Sequence, residues 1–260
     1  MADTLQRPTV IAGNWKMHKG PSETAAYFRE FLDRHPVRED RIILIFPPAV
    51  SLVAAAGALG RRGDIAIGVQ NIHWEPQGAF TGEISVSMAR DAGARYTLVG
   101  HSERRHIFGE TDEQVRRKTA AALAGGITPV VCLGETLEQR EAGRVEDVIL
   151  GQLDAVLDGL DAPEVGRILI AYEPVWAIGT GVNATPEDAA AAHGVLRRRL
   201  EERVGAGTAG GIPILYGGSV NPGNAGELLA ASDVDGLLVG GASLDPERFA
   251  EIAATESARA

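Results

Sequence analysis

Three ionisable side chains in this sequence stand where apolar segments end, and their types suit acid–base chemistry. Glu173 closes the segment RILIAYE, His101 follows RYTLVG, and Lys16 follows TVIAGNW. A carboxylate at the end of a buried segment is unfavourable unless its charge is paired or its acidity is used. Glu173 is therefore either an ion-pair partner or a catalyst, and an imidazole and an ammonium nearby would favour proton transfer on a small anion.

Two glycine pairs indicate a binding site for an anion. Gly217 and Gly218 precede Ser219 in YGGS, and Gly240 and Gly241 lie in VGGAS, each pair directly after an apolar segment. Glycine lets the backbone approach an anion closely, and the start of a following helix adds a favourable field. Turns alone could explain one pair, but two pairs in equivalent positions predict phosphate binding.

Short spacings add two supporting candidates. Asn14 lies two positions before Lys16, and Glu103 lies two positions after His101. In extended backbone this spacing places both side chains of a pair on one side. Taken alone, Lys16 and Glu103 could equally be surface ion-pair partners, and His101 could be a hydrogen-bonded core residue.

Two other motifs are weaker. Residues 100–104, GHSER, begin like the G-x-S-x-G nucleophile elbow but end in arginine. Residues 179–184, GTGVNA, fit the dinucleotide pattern G-x-G-x-x-A, yet a Pro- and Trp-containing stretch separates them from the preceding segment. The tight strand-to-helix turn of that pattern is therefore missing. We interpret residues 174–184 instead as a lid with an apolar tip at Ala177 and Ile178.

The segments that carry these groups belong to a regular pattern of strands and helices. Short apolar runs begin at Thr9, Arg41, Asp64, Arg95, Thr128, Arg167, Pro213 and Val234. Stretches with helical spacing lie between most of them, and Thr111 and Thr185 have the surroundings of helix N-caps. This alternation predicts an α/β fold, a single (β/α)8 barrel over residues 1–260, with a doubly wound sheet as the alternative. In such a barrel the candidate groups would share the rim at the carboxyl ends of the strands.

Composition restricts the partners and the compartment. A net charge of -10 argues against nucleic acid as a partner. The apolar stretch 42–60 is interrupted by Pro47 and Pro48, which argues against a membrane span. The lone cysteine, Cys132, forms no internal disulfide, and the N-terminal stretch lacks a signal-like apolar core, so we expect a cytoplasmic protein.

The stretch between the third and fourth apolar units is unusually long. Residues 70–85, QNIHWEPQGAFTGEIS, carry Trp74 and Phe80 without a clear period. Long irregular loops in compact domains are usually functional, and large exposed aromatic side chains favour a partner surface. We expect this 70–85 loop to form a homodimer by docking into a second copy of the chain; the alternative is a loop folded back on its own barrel.

Taken together, the motifs resemble the triosephosphate isomerase family. The matching stretches are GNWKM (13–17), GHSERR (100–105), AYEPVWAIGTG (171–181), YGGSV (216–220) and LLVGGASL (237–244), and the 70–85 loop matches the dimer loop of the family. The resemblance covers nearly the whole chain in order. It implies a TIM barrel and an intramolecular aldose–ketose isomerase of glycolysis and gluconeogenesis. Its substrates would be dihydroxyacetone phosphate and D-glyceraldehyde 3-phosphate, interconverted through an enediolate without a cofactor or metal.

The resemblance also implies roles for individual residues. Glu173 would be the catalytic base and His101 the electrophile, while Lys16 and Asn14 would hold the substrate oxygens. The phosphate site would comprise Gly179, Ser219, Gly240 and Gly241, together with Lys16 and Asn14.

Supporting roles are expected close to His101. In this family a helix N-terminus keeps the catalytic imidazole neutral. Here the amides of Ser102 and Glu103 are expected to donate hydrogen bonds to His101. The carboxylate of Glu103 is expected to hold Lys16. In the lid, Val182 and Asn183 replace the Lys and the Thr or Val that are common in the family, which affects expected lid motion rather than chemistry.

Two other functions remain open from the sequence alone. An aldolase of similar fold would use Lys16 as a Schiff base, and a sugar-phosphate binder would lack catalysis altogether. The joint presence of Asn14, Lys16, His101 and Glu173 argues for retained catalysis.

Overall fold

The computed structural model describes residues 7–178 and 184–256. Within these residues, parallel strands form a closed barrel in which each strand pairs with the next and the eighth pairs with the first. The strands are β1 (Thr9–Asn14), β2 (Arg41–Phe46), β3 (Ile65–Val69), β4 (Tyr96–Val99), β5 (Thr128–Leu133), β6 (Leu169–Tyr172), β7 (Ile214–Tyr216) and β8 (Gly236–Val239). The predicted (β/α)8 TIM barrel is confirmed, and the doubly wound alternative is wrong.

Helices connect successive strands and cover the outside of the barrel. They are α1 (Pro21–Arg34), α2 (Leu52–Leu59), α3 (Val86–Asp91), α4 (Ser102–His106), α5 (Asp112–Ala124), α6 (Leu137–Glu141), α7 (Val145–Leu157), α8 (Ala162–Val165), α9 (Pro186–Ala209), α10 (Ala225–Ala230) and α11 (Pro246–Ala254). Both predicted N-caps are confirmed. The Thr111 hydroxyl accepts the amide of Gln114, and that of Thr185 accepts the amide of Asp188.

Two layers of apolar side chains hold the strands in place. In β1, Val10 and Ala12 face the barrel interior, whereas Ile11 packs in the layer between strands and helices. In β6, Leu169 and Ala171 face the interior in the same way. Because side chains alternate along a strand, this inward register determines where the residues at the strand ends point.

The apolar stretch 42–60 contains no spanning helix. It forms most of β2, then Pro47 and Pro48, a short 3-10 turn at Ala49–Ser51 and the whole of α2, which has only eight residues. Across the two described ranges, no helix is long and apolar enough to cross a membrane.

The 70–85 loop has the irregular structure that its sequence predicts. A single bridge joins His73 to Ser85 near its ends. Trp74 lies between the ring of His73 and the guanidinium of Arg117 in α5, so the base of the loop is anchored on its own barrel. Phe80 remains 44% exposed beyond this anchor.

Candidate active site

Asn14 and Glu173 extend the inward registers of β1 and β6 to the rim of the barrel. Asn14 follows Val10 and Ala12 in alternation, and Glu173 follows Leu169 and Ala171. Glu173 is 2% exposed, although it lies beside a cavity. The alternation of a strand thus brings one amide and one carboxylate to the same opening.

His101 reaches this opening by a turn rather than by strand alternation. β4 ends at Val99, and Gly100 adopts a φ of 70°, a conformation that favours glycine. A Cβ at this position would also lie 2.9 Å from the carbonyl oxygen of Cys132. The turn makes His101 the N-cap of α4, with its ring directed into the site.

The Glu173 carboxylate is held on both oxygens. Oε2 accepts the amide of Ser102 at 2.8 Å, and Oε1 lies 3.1 Å from Nε2 of His101. Nδ1 of His101 accepts the amide of Glu103 at 3.3 Å, so a neutral ring carries its proton on Nε2 and donates it to Glu173. The expectation that the Ser102 amide contacts His101 is therefore wrong, because that amide points across the site to the carboxylate.

The pKa values of the two groups depend on each other. Burial raises the pKa of Glu173, but the His101 ring and the Ser102 amide lower it by more, and the net direction is downward. Burial lowers the pKa of His101, but the charge and hydrogen bond of Glu173 and the charge of Glu103 together raise it by more, and the net direction is upward. If the carboxylate moved away, His101 would lose the main influence that favours its protonation, and burial and Lys16 would favour the neutral ring.

Lys16 lies at the same opening, but not for the reason that the sequence suggested. β1 ends at Asn14, and Lys16 has a φ of 51°, so the argument from extended backbone is wrong. Its amide donates to Oδ1 of Asn14 at 3.0 Å, and Nζ contacts Oε1 of Glu103 at 2.6 Å. The side chain of Gln70 donates to the Lys16 carbonyl at 2.8 Å, a contact that sequence motifs did not indicate.

The glycine-rich segments after β7 and β8 form the other wall of the opening. Gly217, Gly218, Ser219, Gly240 and Gly241 line a cavity of about 420 Å³, which is large enough for a small metabolite. Asn14, Lys16, His101 and Glu173 line the same cavity. The predicted residues are thus gathered in one place, except Gly179, which lies outside the described residues together with Val182 and Asn183.

The amides of this wall are available to a ligand. In the described ranges, neither the Ser219 amide nor the Gly241 amide donates to a protein acceptor. A Cβ added to Gly240 would lie 3.8 Å from Cε of Lys16, so the lysine passes close to the same wall. An anion placed there would receive amide hydrogen bonds and the field of a cation.

A buried carboxylate anchors the first part of the predicted lid. Glu135 is fully buried and accepts hydrogen bonds from the Tyr172 hydroxyl at 3.0 Å and from Trp176 Nε1 at 2.8 Å. Ala177 is also buried, and Ile178 lines the cavity. Sequence analysis missed Glu135 because its role depends on partners from β6 and the lid rather than on a local motif.

The chain is similar to known proteins over nearly its whole length. The family model described as triosephosphate isomerase matches residues 9–256. A triosephosphate isomerase of Solibacter usitatus (strain Ellin6076) is 49% identical over 246 residues, covering 95% of this chain and 98% of the relative. One of Aquifex aeolicus (strain VF5) is 50% identical over 245 residues, covering 94% and 97%. One of Symbiobacterium thermophilum is 48% identical over 256 residues, covering 98% and 99%.

Proposed function

The chain belongs to the triosephosphate isomerase family, and from this premise we propose that Glu173, His101, Lys16 and Asn14 carry its reaction. The protein is an isomerase that interconverts dihydroxyacetone phosphate and D-glyceraldehyde 3-phosphate, a step of glycolysis. The observation that carries the residue assignment is the 3.1 Å contact between His101 and Glu173. This pair is buried beside a cavity that Lys16 and a glycine-rich wall also line.

Glu173 is the base that moves a proton between adjacent carbons of the substrate. One carboxylate can serve both carbons, because the enediolate intermediate is planar and its two carbons are neighbours. Both oxygens of Glu173 are engaged in the observed position, by Ser102 and His101. The carboxylate must leave at least one of these partners to reach a carbon atom, so the observed arrangement is a resting position.

His101 stabilises the negative oxygen that develops during proton transfer. Its Nε2 proton is donated to Glu173 at the edge of the cavity, while the Glu103 amide holds Nδ1 as an acceptor. A donor prearranged at a developing oxyanion lowers the barrier without reorganisation at the moment of reaction. Departure of Glu173 toward the substrate would leave Nε2 free to donate to that oxygen.

Lys16 and Asn14 hold the substrate, with its phosphate against Ser219, Gly240 and Gly241. Nζ of Lys16 forms a salt bridge of 2.6 Å with Glu103. A Schiff-base aldolase needs its lysine nitrogen free to attack a carbonyl group, so the engagement of Nζ by Glu103 argues against that alternative. A charged Lys16 suits the binding of an anionic substrate.

We also propose a cytoplasmic homodimer with one barrel domain over residues 1–260. Large apolar side chains are exposed beside the 70–85 loop: Met17 is 93% exposed and Phe108 is 67% exposed, with Phe80 on the loop itself. Their common location near the site supports burial against a second copy. A stable, fully active monomer in sedimentation experiments would refute the dimer.

The assignment of the base is tested by replacing Glu173 with Gln. In an assay that couples product formation to NADH oxidation, we expect turnover to fall by about three orders of magnitude or more, because the amide cannot accept the proton. Binding of inorganic phosphate should persist. The matched control is Glu201→Gln, which makes the same change on the exposed face of α9 and should leave turnover unchanged. Near-normal turnover in Glu173→Gln would refute the assignment.

A further inference from the structure

Arg248 lines the active-site cavity, although no motif in the sequence marks it. It belongs to the first turn of α11, and its side chain is exposed at the mouth of the cavity. Helix α11 begins two residues after the 3-10 turn Gly241–Leu244, whose first glycine lines the same cavity. The guanidinium is therefore on the side where the phosphate group is proposed to bind.

Helix stability does not explain a cation at this position. A positive charge in the first turn of a helix is opposed by the helix dipole. The N-cap Asp245 directs Oδ1 to the amides of Glu247 and Arg248, not to the guanidinium. Throughout the residues that the structure describes, no carboxylate lies within ion-pair distance of Arg248, and its side chain donates no hydrogen bond.

The other charged groups at the cavity explain why a cation at this position would help to bind an anion. The charge of Lys16 is already offset by Glu103 at 2.6 Å, and Glu173 adds a second carboxylate. Without Arg248 the site would have a net negative charge on a protein whose net charge is -10. For a phosphate monoester, which carries about -1.5 to -2 charge at pH 7, the amides of the glycine-rich wall would then be the main source of uncompensated positive field.

We propose that Arg248 is a second cationic contact for the substrate phosphate, at the outer edge of the cavity. A guanidinium binds phosphate through paired N–H donors and keeps its charge at all accessible pH values. Arg248 assists capture and retention of the phosphate group, whereas proton transfer belongs to Glu173 and His101. The inference rests on the proposed function, because it takes the glycine-rich wall as the phosphate site.

The test replaces Arg248 with Gln, which removes the charge and keeps most of the side-chain length. The control is Arg61→Gln, an equal charge change at an exposed arginine that precedes β3 and therefore lies at the opposite end of the barrel. Arg248→Lys is the conservative variant. For each protein, the Kd of inorganic phosphate is measured by calorimetry, and KM and kcat for D-glyceraldehyde 3-phosphate are measured at low and high ionic strength.

We expect Arg248→Gln to raise both the phosphate Kd and KM by about threefold to tenfold at low ionic strength, with kcat changed by less than about twofold. The increase should shrink at high salt, because screening weakens an exposed charge. Arg248→Lys should recover part of the loss, and Arg61→Gln should match the unmodified protein.

Equal phosphate Kd and KM values in Arg248→Gln and Arg61→Gln would overturn the inference. A fall in kcat with unchanged KM and phosphate Kd would also overturn it, because that result would place Arg248 in the chemical step. If the unmodified protein showed no isomerase activity, the proposed function would fail. The phosphate titration would still decide whether Arg248 binds the anion, so the two failures are distinguishable.

Discussion

The two ends of the barrel use the same kinds of charged side chain in different ways. At the base, where the strands begin, Arg197 donates to the carbonyls of Ala209 and Ile212, to Asp233, and to Asp235 at 2.6 Å. At the rim, His101, Glu173, Lys16 and Glu103 are paired with one another around an open cavity.

The charged groups at the two ends differ in the kind of partner that holds them. The contacts of Arg197 at the base of the barrel, here called the base network, link α9 to the segments before β7 and β8. Two of its hydrogen-bond acceptors are backbone carbonyls, which cannot move away. The rim groups are held by one another's side chains and by the amides of Ser102 and Glu103, and a substrate can replace the side-chain partners. We therefore expect changes at the base to affect folding stability and changes at the rim to affect catalysis.

The largest expected effect on stability comes from Arg197→Met. The side chain of Asp235 is fully buried and contacts Arg197, Arg7 and the Ile214 amide, so this change removes one of its charged partners. Removing one partner of a buried ion pair costs about 3–5 kcal/mol of unfolding free energy. Urea denaturation monitored by circular dichroism measures this loss, while kcat of the folded fraction should be unchanged.

The control for this change is Arg198→Met. Arg198 is the next residue of α9, but it is exposed, and no ion pair is formed by it within the described ranges. Its unfolding free energy should stay within about 0.5 kcal/mol of the unmodified protein. A similar loss in both variants would mean that the base network is not a specific source of stability.

The rim counterpart is His101→Asn. Asn retains the ability to cap α4 at its N-terminus, but its shorter side chain withdraws the donor from the cavity. We expect kcat to fall by about 10²–10³-fold, the usual effect of losing one oxyanion donor, and the unfolding free energy to fall by less than in Arg197→Met.

The pH profile of the same variant gives a second measurement. His101 lowers the pKa of Glu173, so its loss should move the acidic limb of kcat/KM to higher pH. If His101→Asn reduced the unfolding free energy as strongly as it reduced activity, the proposed contrast between the rim and the base of the barrel would be wrong.

A smaller effect concerns His193, which lies in α9 beside the base network. Burial lowers its pKa to about 4, and Nδ1 bonds the Asp233 carbonyl at 3.0 Å. Because the unfolded chain binds a proton at higher pH than the folded chain, stability should be complete above pH 6.5 and fall as the pH decreases toward about 4. The expected loss between pH 7 and pH 5 is about 2 kcal/mol.

The variant His193→Asn isolates this contribution. Asn can still donate to the Asp233 carbonyl but does not titrate, so its unfolding free energy should depend less on pH over this range. Identical slopes in both proteins would show that other groups cause the acid sensitivity.

The sequence predicted the barrel well because each unit carries its own local signal. Apolar strands, capping residues such as Thr111 and the turn at Gly100 are determined within a few residues of the chain. The candidate site followed because a parallel barrel brings all carboxyl ends of its strands to one rim.

The details that the sequence missed depend on distant partners. The Ser102 amide was assigned to His101, but the packing of β6 against β5 brings Glu173 to it. The same is true of Glu135, Gln70 and Arg248. Their roles follow only from their contacts with side chains or cavity walls that distant parts of the chain supply. Residue type and spacing could not indicate these contacts.

The central claim is that the rim groups converge on one small phosphate ester, and a crystal structure with glycerol 3-phosphate tests it most directly. This compound has three carbons and a phosphate but no carbonyl group to react. The account predicts that its phosphate contacts the amides of Ser219 and Gly241, and that the Glu173 carboxylate leaves Ser102 and lies against the carbon chain. A ligand bound elsewhere, with Glu173 still held by Ser102 and His101, would contradict the account.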